Sequence, residues 1–112
     1  MERNNPPFMS GVPELLLLRL LTEDELYGYE IVRKIRAATG DAISLGEGVV
    51  YPALHSLEAA GALRSRRRVV GGRERVYYTA TKGGRARLAN LAAHWTRIND
   101  GIRLALAEMI HA

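Results

Sequence analysis

EGVVYPALHSLEAAGALRSRRRVVGGRERVYYTATKGG, residues 47–84, is the stretch whose reading decides the fold. Leu63 to Val70 and Arg73 to Thr79 alternate in character around Gly71-Gly72, a pair favoured in two-residue hairpin turns. They predict a two-stranded ribbon with Val76 and Tyr78 on one side and Arg75 and Tyr77 on the other. Just upstream, Val50, Leu54 and Leu57 share one face of a helix at about 47–61. Pro52 fixes its start, since proline is tolerated only in about the first turn, and Gly61 ends it. Just downstream, Thr81 is a good N-cap for a last helix.

The charge is concentrated between Arg64 and Arg87, from the ribbon into the start of the last helix. Arg64, Arg66, Arg67, Arg68, Arg73, Arg75, Lys82, Arg85 and Arg87 face one acidic residue, Glu74, whereas the chain before Arg64 has five basic and nine acidic residues. The whole chain is only +4, but nine basic residues against one acidic give this segment +8, the electrostatic footprint of a polyanion-binding surface.

Towards the N-terminus, Ile31, Val32 and Ile35 define a second helix at about 27–38, stopped near Gly40. With a tight connector from Asp41 to Gly46, it and the 47–61 helix make a helix-turn-helix candidate. A first helix is predicted near Pro13. Its run from Leu15 to Leu21, interrupted only by Arg19, is apolar nearly all round, so one side is expected to meet a partner chain. The acidic run Glu23-Asp24-Glu25 is expected to favour the positive end of the second helix. Three helices and a ribbon give the order of a winged helix-turn-helix, mainly α with a small β-hairpin. Residues 1–10 read as a flexible arm, 11–80 as the DNA-binding unit with its wing at 63–79, and 81–112 as a dimerisation helix.

That last helix carries Leu88, Leu91, Trp95, Ile98, Ile102, Ala105 and Met109 at heptad spacing. At ~1.5 Å per residue it is ~45 Å long, beyond the ~27 Å breadth of a domain of this size. A homodimer is the simplest cover for this seam, with Leu16 on the first helix as counterpart. Asn99-Asp100-Gly101 is turn-like, but the unbroken heptad register favours a continuous helix.

At 112 residues, 47% hydrophobic and 25% charged, the composition is that of one small globular domain. No apolar run reaches the ~20 residues of a membrane span, the first residues do not read as a secretory signal, and there is no cysteine. Together these predict a cytoplasmic protein without a membrane role. His94 and His111 are too far apart, with no supporting cluster, to suggest a metal. Gly46-Glu47-Gly48 lacks the third glycine of a nucleotide loop, and no catalytic constellation or cofactor motif is present.

YGYEI at 27–31, EGVVYPALHSLEAAGAL at 47–63 and ERVYYTATKGGRARL at 74–88 together resemble the PadR-like family of bacterial winged-helix transcriptional regulators. The resemblance spans about Pro13 to Leu106 and is closest to the compact members with a single C-terminal dimer helix. It implies a homodimeric, sequence-specific regulator, a repressor on a palindromic operator. It also implies release of the operator by a planar aromatic effector at the dimer interface. Two departures stand out. Val49 replaces the usual Thr or Ser, removing a hydroxyl that could meet a phosphate. Ala80 replaces the usual Leu and is followed by an extra glycine, a change expected only to soften packing at the ribbon base.

The third helix is expected to enter the major groove by its N-terminal part and the wing to lie along the backbone or minor groove. This assigns DNA contact to Gly48, Val49, Tyr51, His55 and Ser56, with Tyr29 beside them. Gly48 allows close approach of a backbone N–H to phosphate. Arg66, Arg67, Arg68, Arg73 and Arg75 would contact phosphates, giving affinity and salt dependence. The competing readings are that the arginines form a solvated face and that Tyr51 packs in the core. Trp95, with Leu15, Leu18, Leu91, His94 and Ile98, is assigned either to interface packing or to an effector pocket between chains. A winged-helix module for protein or small-molecule binding, without a primary DNA role, is the alternative function.

Overall fold

Pro13 lies in the first turn of α1 (Val12–Glu23), where its missing N–H leaves no bond unmade. The elements that follow are β1 (Leu26–Tyr27), α2 (Gly28–Ala38), α3 (Glu47–Ala59), β2 (Leu63–Val70), β3 (Arg73–Ala80) and α4 (Lys82–His111). This computed structural model describes residues 10–111; the arm expected over 1–10 lies, but for Ser10, outside them.

Gly71 and Gly72 adopt φ of 60° and 78°, the left-handed pair of a type I′ turn, and bring Val70 opposite Arg73. The hairpin register runs from there to Leu63 opposite Ala80. One correction concerns its partners. Tyr27, read as the start of the second helix, instead forms with Leu26 a short strand against Tyr77 and Tyr78 of β3. The sheet is three-stranded and antiparallel, in the order β1-β3-β2. The backbone of β1 pairs with part of the side of β3, at Tyr77 and Tyr78, that a bare ribbon would leave open.

Residues facing each other across a ladder share a face. Leu26, Leu63, Tyr78 and Ala80 therefore point one way, into the core. There they meet Leu17, Leu18 and Leu21 of α1, Ile31 and Ile35 of α2, and Val50, Leu54 and Leu57 of α3. Each such buried aliphatic chain contributes roughly 1.5–3 kcal/mol. Leu15, Leu16 and Leu20 are half-buried, so α1 is largely covered by its own domain. The expectation that one of its sides needs a partner is thereby reduced to this half-buried strip.

The α2–α3 connection is longer than a tight turn, spanning 39–46. Thr39 holds it compact, its hydroxyl donating to the Ile35 carbonyl at 2.8 Å and accepting from the Ile43 N–H at 3.1 Å. Leu45 plugs it into the core. The acidic run 23–25 does not cap α2, because β1 intervenes; the Glu30 carboxylate accepts the Tyr27 N–H instead.

Thr81 caps α4 by accepting the Gly84 N–H at 3.0 Å, and its hydroxyl donates to the Gly61 carbonyl at 2.6 Å. Its own N–H donates to the Ala62 carbonyl at 3.0 Å. Gly84 is buried there, and a Cβ on it would overlap the Ala62 carbonyl. Gly84 is thereby what lets the helix dock, whereas Gly83 beside it has only ordinary contacts at 3.7 Å. From this anchor α4 runs without interruption through Asn99-Asp100-Gly101, and the molecule is 60 Å in its longest dimension.

Candidate nucleic-acid interface

α3 buries Val50, Leu54 and Leu57, which leaves Gly48, Pro52, His55 and Ser56 on its exposed side. Val49 and Tyr51 fall between, half-buried and packed against the core. Gly28 is the reason Tyr51 can lie so low: a Cβ at that position would overlap the tyrosine hydroxyl and ring. The Tyr-Gly-Tyr motif at 27–29 thus makes room for the α3 tyrosine. Tyr29, beside it, is exposed, with the Arg33 guanidinium 5.8 Å from its ring centroid.

A recess of about 300 Å³ joins these elements, lined by Tyr27 and Gly28, Tyr51 and His55 of α3, and Arg75, Val76 and Tyr78 of β3. The helix and the wing therefore meet in one concavity. Burial pushes the Tyr78 hydroxyl's pKa up, helped by the nearby Glu58 carboxylate and Tyr51, so it stays neutral.

The other face of the sheet carries the charge. The register aligns Arg64, Arg66, Arg68, Arg73 and Arg75 on one side with Tyr77 and Tyr27, while Arg67 points to the opposite side with Val76. Arg68 and Arg75 are directly opposite one another, an unfavourable like-charge pair on its own. Two tyrosines relieve it. The Arg68 guanidinium lies 4.4 Å from the Tyr77 ring centroid and that of Arg75 lies 4.2 Å from the Tyr27 centroid. The two rings meet edge to face at 5.3 Å. Tyr77 is buried beneath this layer although it faces away from the core.

Glu25, in the α1–β1 link, completes the cluster. Its carboxylate accepts Nε and Nη2 of Arg66 at 2.5 and 2.8 Å and Nη1 of Arg68 at 3.3 Å. The Arg66 hydrogen bond, aided by the charges of Arg66, Arg68 and Arg64, outweighs partial burial and holds the carboxyl below its ordinary range. Arg67 makes only a long contact, 3.8 Å, to Glu74. Of the five wing arginines expected at phosphates, three are therefore held by the protein itself; Arg67 has only its long contact to Glu74, and Arg73 stands at the turn.

Among the described residues there is no group of three or more His, Cys, Asp or Glu able to hold a metal, and no helix long and apolar enough to cross a membrane.

Comparison with known proteins now adds to this geometry. The model of the transcriptional regulator PadR-like family matches residues 17–90. The chain belongs to the PadR-like family. A transcriptional regulator of Mycobacterium tuberculosis is 36% identical over 81 residues, covering 72% of this chain and 73% of that protein. Among solved structures, a transcriptional regulator from Clostridium thermocellum superposes with a TM-score of 0.80 at 28% identity, covering 88% of this chain and 96% of that one. A PadR family regulator from Clostridium difficile gives 0.75 at 28% identity, over 86% and 99%. PadR-like proteins are transcriptional regulators rather than enzymes, and the four helices and three-stranded sheet are their winged-helix fold.

The second predicted site lies elsewhere on this PadR-like chain. A hollow of about 160 Å³ is lined by Gly11, Val12, Leu15, Leu91 and Trp95. It unites three of the six residues assigned to an effector pocket. Leu18 does not belong with them: it is wholly buried in the core, because it lies on the inward side of α1 with Leu21. His94 and Ile98 are exposed on α4 and do not line the hollow. Leu88 and Leu91 of the heptad seam pack against the core. Beyond them Trp95, Ile98, Ile102 and Met109 are exposed by 46%, 53%, 52% and 69%.

Sequence reasoning missed Gly28, Gly84 and Glu25. The two glycines had a detectable signal in the motifs that contain them. Glu25 had none, since its partners lie 41 and 43 residues away.

Proposed function

We propose that the chain is a cytoplasmic, homodimeric, sequence-specific DNA-binding repressor. Residues 11–80 would read DNA and residues 81–112 would pair the subunits. The observation that carries this reading is the shared recess, in which His55 of α3 and Arg75 of the wing line one concavity beside an arginine-loaded sheet. In a winged helix, α3 lies in the major groove and the wing on the backbone. Gly48, His55 and Ser56 are then placed to meet base edges or phosphate, and Arg67 and Arg73 to meet phosphate.

The exposed seam from Trp95 to Met109 supports dimerisation, because a monomer would leave this apolar strip in water. Two-fold symmetry then requires an operator with inverted half-sites about one helical turn, or a multiple, apart. A planar aromatic effector would seat against Trp95 in the hollow shared with Leu15 and Leu91, and would act by preferring one separation of the two wings. The repressor sign and the effector class rest on the family resemblance.

Selection of bound sequences from random duplex DNA tests the central reading. Enrichment of an inverted repeat with fixed spacing is the expected result. No enrichment, together with no binding to random duplex at ~50 mM salt, defeats it.

A further inference from the structure

The five arginines on the outer face of the sheet differ in how they are held. Arg66 and Arg68 converge on Glu25, and the Arg66 contact is bidentate, with both forks of the guanidinium on the two carboxylate oxygens. This is the geometry an arginine would otherwise offer to a phosphate. The Arg66 side chain remains 64% exposed, so it is accessible to solvent yet already occupied. Arg68 is held a second time, flat over Tyr77. Arg66 stands four residues before Val70, ~13 Å from the turn at ~3.3 Å per residue. Arg73, at the turn itself, forms no ion pair among the described residues.

From this we infer that Glu25 is a positioning residue of the DNA interface. Its carboxylate stands in for phosphate on Arg66 and Arg68, keeps both off the DNA backbone and leaves phosphate contact to the wing tip. The inference rests on the DNA-binding reading. Its consequence is a protein whose sequence-independent affinity is lower than its arginine count implies. Each arginine released to the backbone would add a phosphate contact that carries no sequence information, so restraint by Glu25 favours discrimination over affinity.

The test is a double-mutant cycle on random-sequence duplex between ~50 and ~200 mM salt. Glu25→Gln keeps the shape and removes the charge. Because Arg68 stays held over Tyr77, only Arg66 is freed, and the variant is expected to tighten binding several-fold and to steepen the slope of log K against log salt by about 0.9, one phosphate. Arg66→Ala is expected to leave the slope unchanged in the wild-type background and to abolish the gain in the Glu25→Gln background. A slope that is unchanged or shallower in Glu25→Gln overturns the inference. So does an Arg66→Ala loss of equal size in both backgrounds, which is the signature of a general charge effect. Thermal unfolding checks that Glu25→Gln remains folded. If it does not, a reduced slope for Arg66→Ala in the wild-type background still overturns the inference and an unchanged slope upholds it. Failure of the wild-type protein to bind any duplex defeats the DNA reading itself, a different result from either of these.

Discussion

α1 and the C-terminal half of α4 are the two most leucine- and isoleucine-rich helical surfaces of the chain, and they meet opposite fates. Leu17, Leu18 and Leu21 of α1 are wholly enclosed in the core formed with α2, α3, the sheet and the first turns of α4. Ile98, Ile102 and Met109 of α4 stand half or more exposed. The difference is one of reach. α1 is 12 residues long and lies within the domain, whereas α4 has 30 residues and leaves it after about three turns. Apolar content alone does not say which residues a chain will bury; the geometry of the neighbouring elements does.

The contrast can be broken most forcefully from the α1 side. Leu18→Ala is expected to cost about 2–5 kcal/mol, as a cavity in an enclosed core, read from urea unfolding. Ile102→Asp on α4 should do the reverse. The fold should survive, seen as an unchanged far-ultraviolet spectrum, while sedimentation at micromolar concentration moves from a dimer to a 12.4 kDa monomer. If Ile102→Asp unfolds the protein and Leu18→Ala leaves it intact, the two surfaces have been assigned the wrong way round.

The junction between the two regions sharpens the comparison further. Gly84→Ala places a methyl group against the Ala62 carbonyl and is expected to destabilise by about 1–3 kcal/mol. Gly83→Ala, whose added carbon would find only ordinary contacts at 3.7 Å, should be neutral or slightly stabilising through helix propensity. Paired thermal melts of these adjacent variants separate steric docking from propensity.

The smallest effect belongs to Glu25, at the end of the α1 link. Its carboxyl titrates below its ordinary value near 4.5 in the folded protein. Its contribution is therefore fully present above that pH and fades as the pH falls further, through the lowered folded value. The pair is exposed, so the effect is modest. Glu25→Gln should show a slightly weaker loss of stability between about pH 5 and pH 3 than the wild type. An identical acid profile for the two would mean that the ion pairs to Arg66 and Arg68 are not held in solution.

What could be read from the sequence follows the same division between local and distant causes. The hairpin was legible because Gly71-Gly72 sets its turn locally, and the start of α4 because Thr81 caps within three residues. The continuity of α4 through Asn99-Asp100-Gly101 was legible from the heptad register. β1 was not, because two residues have no period and their pairing depends on the far edge of β3. Leu18 was misplaced at the effector pocket because a run of consecutive leucines hides which side of the helix faces inward. On α3, the exposed positions Gly48, His55 and Ser56 followed from helical period. The half-burial of Tyr51 depended on the space left by Gly28, twenty-three positions earlier in the chain.

The strand order has a consequence for how the protein behaves at high concentration. β1 covers only Tyr77 and Tyr78 of β3, and β2 is the long outer strand of the sheet; an eight-residue edge strand is an invitation to pair with a copy of itself. Here that edge carries Arg64, Arg66, Arg67 and Arg68. Two such edges brought together would stack like charges rung upon rung, at the spacing where backbone pairing would otherwise begin. The arginines thus oppose edge-to-edge pairing of two copies of this strand.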